Sequence, residues 1–311
     1  MYGSSQPPVQ RFLEVGGAVA ASGQPRRLAW WDWPGLPGAD PHRVVICVHG
    51  LSRQGRDFDV LATALSVHSR VIAVDVAGRG NSGWLADPMA YQVGTYAADM
   101  AQLVTSLRAA DAELRVDWVG TSMGGLIGLV LAAQPQIGIR RLVLNDVGPV
   151  IQWEALCRIG SYLGRNPSFA SEQEAADYLR SISTGFGPHS DAQWMALTRP
   201  MLRQKDGRWW LHYDPFIAVP VRALTDSSDQ AAARQSVADG EAFLWGLYDA
   251  ITARTLLLRG GESDLLSRET ARSMGERGPK ARCVEFPGVG HAPTLVADDQ
   301  VACVGEFLSA A

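Results

Sequence analysis

Apolar positions along this chain come in two spacings. Short continuous runs, bounded by glycine, proline or charge, fall at Arg43 to His49, Arg70 to Val76, Val116 to Gly120, Arg140 to Asn145, Arg254 to Arg259 and Arg282 to Phe286. Runs of this length flanked by turn residues predict strands buried on both faces. Phe12 to Val15 and Leu28 to Trp33 predict two edge strands, split by the Gly- and Ala-rich stretch 16 to 24. Between the buried runs the spacing becomes helical, at Asp57 to Leu65, Val93 to Ala110, Leu126 to Ala133, Ser267 to Met274 and Val296 to Leu308. In the second of these, Tyr96, Met100, Leu103, Val104 and Leu107 share one face. Strand and helix in alternation predict an α/β fold, with a mostly parallel twisted sheet of about eight strands, right-handed crossovers and helices on both faces.

The alternation stops between Pro149 and about Thr252, where the chain predicts a set of helices. Ser171-Glu-Gln-Glu174 has the form of a capping box opening a helix to Ser183, Asp191 caps a second running to Arg199-Pro200, and Gly240 to Ile251 is a third. Trp153, Trp194, Trp209, Trp210 and Trp245 lie here, half of the ten tryptophans. Their two possible uses are to line an apolar pocket or to pin the segment to the core. The chain thus divides into 1–148, a first core part; 149–252, an insertion; and 253–311, a second core part.

One candidate for chemistry stands between a predicted strand and a predicted helix. Gly120-Thr121-Ser122-Met123-Gly124 fits G-x-S-x-G, in which a serine sits on a strained turn and the N–H groups of the following helix point toward it. A serine hydroxyl attacks only when a base takes its proton, and the base needs an acid to fix its tautomer. His291, in Gly288-Val-Gly-His291 after the last strand, suits the base. Asp264, closing Gly260-Gly-Glu-Ser-Asp264 after the seventh strand, suits the acid, with Asp146 after the sixth strand as the rival and Glu262 as a weaker third.

By this elbow and by the order serine, acid, histidine, the chain resembles the α/β-hydrolase superfamily over residues 43 to 291. The resemblance implies a catalytic triad of Ser122, Asp264 and His291 and a helical lid at 149–252, inserted after strand 6. It also implies an oxyanion hole made by the backbone N–H groups of Leu51, after His49-Gly50, and Met123. His49 itself is expected to be structural. The loop reads His-Gly-Leu-Ser rather than His-Gly-Gly-Gly, which speaks against bulky tertiary-alcohol esters. Gly78-Arg-Gly-Asn-Ser-Gly83 matches G-x-G-x-x-G, but Trp84-Leu-Ala-Asp-Pro88 follows where a dinucleotide site needs a helix. Asp75 through Ser82 resembles instead a structural turn of the superfamily.

Composition narrows the picture further. The 311 residues carry 28 Lys plus Arg against 32 Asp plus Glu, a net charge of −4 without basic blocks, so neither nucleic acid nor an anionic membrane is an expected partner. Cys47, Cys157, Cys283 and Cys303 have no C-x-x-C spacing and predict reduced thiols. The first residues lack the charged and apolar regions of a signal peptide, and the longest apolar run is too short for a membrane span, so a cytoplasmic protein is expected. No histidine or cysteine cluster suggests a metal, and no cofactor is expected. The reading is a serine hydrolase that cleaves a carboxylic ester or lactone, a small-molecule acyl substrate, through an acyl-enzyme on Ser122. A C–C bond hydrolase of the ring-fission diketone type is the alternative, disfavoured by Thr121 where such enzymes often carry Asn. A hydrolase-like binding protein is the third reading.

Overall fold

A computed structural model describes residues 7–16 and 25–310; most of the Gly- and Ala-rich stretch, the first six residues and the last one lie outside the described residues. In chain order the core elements are β1 (Val9–Val15), β2 (Arg26–Trp33), β3 (Asp40–Val48), α1 (Asp59–Leu65), β4 (Ser69–Asp75), α2 (Val93–Ala110), β5 (Arg115–Thr121), α3 (Met123–Ala132) and β6 (Ile139–Asn145). The inserted segment then contributes α4 (Trp153–Tyr162), β7 (Ser168–Phe169), α5 (Glu172–Ile182), α6 (Asp191–Thr198), β8 (Leu202–Lys205), β9 (Arg208–Leu211), α7 (Val219–Thr225) and α8 (Gln230–Asp249). The core resumes with β10 (Arg254–Gly260), α9 (Arg268–Glu276), β11 (Arg282–Phe286) and α10 (Asp298–Ser309).

Eight strands form one sheet in the order β1-β2-β4-β3-β5-β6-β10-β11. It is parallel from β4 to β11, while β2 runs antiparallel to both β1 and β4. Only β1 and β11 are edges, so β2, expected at an edge, lies inside the sheet. Alternation along β3 shows why its run had to be apolar throughout. Val44, Ile46 and Val48 point into the cluster under α2 and α3, and Val45 and Cys47 into the cluster under α1 and α10. The face predicted for α2 is buried at all five positions.

The insertion is less helical than its sequence suggested. Besides α4–α8 it contains a three-stranded antiparallel sheet, β7-β9-β8, and Trp209 and Trp210 belong to β9. α8 starts ten residues before the expected Gly240, because Asp229 accepts from Ala232 N–H and three alanines then extend the first turn. The cap of α6 is Ser190 rather than Asp191, in a reciprocal box with Gln193. Ile159, Leu163, Phe169, Leu179, Met201 and Tyr213 join the cluster that contains α2 and α3, so the insertion shares the core instead of carrying one of its own. Among the described residues no helix is long and apolar enough to cross a membrane.

Candidate active site

Ser122 occupies the turn between β5 and α3 with φ 51° and ψ −117°, a backbone conformation that side chains rarely adopt. The turn closes only because its neighbours lack side chains. A Cβ on Gly120 would lie 2.2 Å from the Gly124 oxygen, and one on Gly124 would lie 2.0 Å from the Val48 oxygen. The indole N–H of Trp118 donates to the Gly124 carbonyl at 3.0 Å and fixes the turn from below. Met123, the first residue of α3, has no partner for its N–H within the helix.

His291 Nε2 lies 3.0 Å from Ser122 Oγ, and His291 Nδ1 lies 2.7 Å from a carboxylate oxygen of Asp146. The acid against the histidine is therefore Asp146, and the expectation of Asp264 is corrected. Asp146 follows β6 at φ 54°, fully buried, and its carboxylate also accepts from Gly260 N–H at 2.8 Å and Ser263 Oγ at 2.6 Å. Asp264 is half exposed at the wall of the cavity described below and pairs with Arg158 of α4 rather than His291, in two bonds of 2.7 and 2.9 Å. The Gly260-Gly-Glu-Ser turn thus contributes a hydroxyl and an amide to the acid rather than the acid itself. Glu262 lines the cavity described below without reaching His291. Ser263 was missed, since a serine inside a turn carries no distinguishing pattern.

His49 is placed by the loop it begins. Its Nδ1 lies 2.7 Å from the Gly50 oxygen, and Val76 N–H donates to its Nε2 at 3.0 Å, so the ring carries its proton on Nδ1. Burial pushes its pKa down to about 3, so it is neutral at any physiological pH. The Gly50 carbonyl that it holds belongs to the same peptide unit as the Leu51 N–H. His49 therefore fixes the plane of the group expected as an oxyanion donor. The Gly78–Gly83 stretch is the structural turn anticipated. Asp75 accepts from Gly55 and Asn81 N–H, Ser82 Oγ donates to the Asp75 carbonyl, and a Cβ on Gly80 would lie 2.3 Å from Asp75 Oδ2. Burial raises the Asp75 carboxyl to about 6.

Ser122 and His291 open into a cavity of about 640 Å³ whose wall includes Leu51 and the inserted residues Ile159, Tyr162, Leu179, Ile182 and Phe186. Hydroxyls of Ser52, Thr121, Ser161, Ser181, Ser183 and Thr184 are interspersed with them, together with Arg53, Arg158 and Glu262. None of the five inserted tryptophans lines it. Trp194 stacks on Phe186 at 5.9 Å, Trp245 lies edge-on to Tyr248 at 5.6 Å and under Arg277, and Trp153 lies under Arg234. Of these contacts only that of Trp245 with Arg277 reaches outside the insertion; the others tie it together internally.

A sharp serine turn after the fifth strand, a histidine loop after the last, and this sheet order define a hydrolase fold. Residues 45–302 match the model of the alpha/beta hydrolase family, and the chain belongs to it. Among its relatives, a 3-hydroxybutyrate-oligomer hydrolase of Cupriavidus necator is 46% identical over 289 residues, 92% of this chain and 94% of that one. An esterase of Mycobacterium tuberculosis is 26% identical over 248 residues, 78% of this chain and 74% of the other. An alpha/beta hydrolase of known structure from Novosphingobium aromaticivorans superposes with a TM-score of 0.78 at 34% identity, covering 98% of this chain and 99% of its own. The chain is thus a hydrolase of this family, with an esterase and an oligomer hydrolase among its relatives.

Proposed function

We propose that this protein is a serine hydrolase of short oligoesters of hydroxyalkanoic acids, with Ser122 as nucleophile, His291 as base and Asp146 as the orienting acid. The observation that carries this reading is the continuous relay from Asp146 to His291 Nδ1 at 2.7 Å and from His291 Nε2 to Ser122 Oγ at 3.0 Å. Ser122 Oγ attacks the ester carbonyl carbon while His291 Nε2 takes its proton, and buried Asp146 stabilises the imidazolium. The carbonyl oxygen becomes an anion held by the N–H groups of Leu51 and Met123. As the intermediate collapses, His291 returns the proton to the leaving alkoxide, which departs as the free hydroxyl end of the oligomer. Water, deprotonated by His291, then attacks the acyl-enzyme. The carboxylic acid is released and Ser122 regains its hydrogen.

The substrate class rests on two supports. One is the relative whose name is that of a hydrolase of 3-hydroxybutyrate oligomers. The other is the cavity wall, which combines hydroxyls with apolar groups, as suits a chain with an ester carbonyl in every repeat and little apolar length between. A lid role for residues 149–252 belongs to the same proposal, since α4, α5 and the loop to Phe186 supply the wall facing Ser122. So does a reducing compartment, supported by the four free thiols.

The test is fluorophosphonate labelling with peptide mass spectrometry, run beside hydrolysis of the 3-hydroxybutyrate dimer and trimer and of p-nitrophenyl esters. Label on Ser122, with the dimer and trimer turned over in preference to p-nitrophenyl decanoate, is the expected result. Turnover of no ester would favour the C–C bond reading, and a folded chain unlabelled at Ser122 would contradict the nucleophile.

A further inference from the structure

Arg79, in the turn between β4 and α2, is fully buried, and among the described residues no carboxylate pairs with its guanidinium. Removing a cation from water without an anion costs several kcal/mol, so a fold keeps one there only where its hydrogen bonds and its charge are used. Its hydrogen bonds converge on the site. Nε donates to the Leu51 carbonyl at 2.8 Å and Nη2 to the Met123 thioether at 3.5 Å. Nη1 donates to the Ala77 carbonyl at 2.6 Å and the Tyr96 hydroxyl at 2.9 Å, and the Tyr96 ring packs 5.0 Å from the guanidinium carbon.

We propose that Arg79 is a positioning residue of the oxyanion hole, holding both residues whose N–H groups form it and placing a positive charge with no contacting carboxylate behind the developing oxyanion. This inference rests on the serine-hydrolase reading given above. Its geometry is complementary to that of His49. The ring of His49 fixes the Gly50–Leu51 peptide from its carbonyl side, and Arg79 fixes the next peptide through the Leu51 carbonyl. With both planes flanking the Leu51 Cα held, the direction of its N–H is set before substrate arrives. Donors already aimed need no reorganisation when charge develops, and their stabilisation then falls on the transition state rather than on bound substrate.

The backbone of the same turn is held by the insertion. Gly80 N–H donates to the His212 carbonyl at 3.1 Å, Asp214 N–H donates to the Gly78 carbonyl at 2.7 Å, and Arg79 bridges to Tyr213. The inserted segment therefore reaches the oxyanion hole through Arg79 as well as facing Ser122 across the cavity.

The experiment compares Arg79→Met, Arg79→Lys and Tyr96→Phe with the parent enzyme, measuring kcat and KM on p-nitrophenyl acetate, inhibition by a phenylboronic acid, and thermal melting. Boron adds to the serine and carries a tetrahedral oxyanion, so its affinity reads the hole directly. In a folded Arg79→Met, kcat is expected to fall roughly 10²-fold with KM within about twofold, and boronate affinity to fall in parallel. Arg79→Lys restores part of both. Tyr96→Phe, which keeps the charge and removes one anchor, lowers kcat roughly three- to tenfold.

Unchanged kcat and boronate affinity in folded Arg79→Met would overturn the proposal, as would a rise in KM alone. Should Arg79→Met fail to fold, Tyr96→Phe decides, and parental kcat and boronate affinity in it would overturn the proposal equally. A parent enzyme that takes no fluorophosphonate on Ser122 would remove the underlying reading, and the role of Arg79 would fall with it. That outcome is distinct, because it is seen before any variant is made.

Discussion

The sheet and the inserted segment meet at one cavity, yet they are built to different tolerances. Every residue of β3 from Val44 to Val48 is fully buried, whereas α7 has no buried residue and α8 buries only Ala233 and Tyr248 of its twenty. Close-packed strands fix atoms on both sides and transmit any change. The groups that must meet at bonding distance, Ser122, Asp146 and His291, all sit at or just beyond strand ends of this rigid part. α4 and α5, which face the cavity, bury only three residues each, and amphipathic helices half in contact with water can shift and be resequenced at little cost. Under the proposed function, the difference gives chemistry to the sheet and selection of substrate to the insertion.

That contrast can be broken in several ways. Ser122→Ala should lower kcat by about 10⁶ while leaving the melting temperature near that of the parent, since it removes the nucleophile and nothing that supports the fold. Gly124→Ala should not fold, or should lose more than about 4 kcal/mol in denaturant titration, because its Cβ would lie 2.0 Å from the Val48 oxygen and neither backbone can retreat.

A third test uses acid. His49 is held at a pKa of about 3 in the fold against an ordinary value near 6.5, so below pH 6.5 the unfolded chain binds a proton that the folded one refuses. Its stabilisation is complete above pH 6.5 and is lost toward pH 3, by about 1.4 kcal/mol per unit. Asp75, raised to about 6, acts in the opposite sense, favouring the fold as pH falls from 6 toward the ordinary carboxyl value. The separable quantity is the difference between the stability curves of the parent and His49→Gln, measured by urea unfolding from pH 7 to 4, which should narrow by that slope as pH falls. A constant difference would mean that His49 is not held neutral.

Smaller effects belong to the insertion. A Cβ on Gly185 would lie 2.9 Å from His291 N and 3.0 Å from its carbonyl oxygen, so Gly185→Ala should shift the histidine loop and lower kcat about tenfold with a modest loss of stability. Gly240, in α8, has open space around its Cβ position, and Gly240→Ala should raise stability by up to about 1 kcal/mol without changing kcat. An equal penalty at Gly124 and Gly240 would erase the distinction between the two regions.

The same contrast explains what was legible in the sequence. Runs such as Val44–Val48 and the glycines around Ser122 are forced by steric demands that act over a few residues, and so the buried strands, the elbow and the His291 loop could be read directly. In the insertion, the onset of α8 depended on a cap at Asp229, eleven residues before the first clear helical face, and β8 and β9 consist largely of polar or aromatic residues that pair only because the chain folds back on itself. The acid failed for another reason. Asp146 and Asp264 each follow a strand, and the choice between them depends on side-chain direction. Asp146 at φ 54° turns inward to donors from Gly260 and Ser263, while Arg158, more than a hundred residues earlier in the chain, pairs with Asp264. No local pattern encodes that pair of contacts.

The most direct measurement of the account is therefore the turnover of Asp146→Asn beside that of Asp264→Asn, on the same short ester and with both variants shown to be folded. Asn at 146 leaves the imidazole without the carboxylate that fixes its tautomer, and kcat should drop by about 10⁴. Asn at 264 disturbs only an exposed pair with Arg158, and kcat should stay within about threefold of the parent. A folded Asp146→Asn with near-parental turnover, or a dead Asp264→Asn, would contradict the relay on which the account rests.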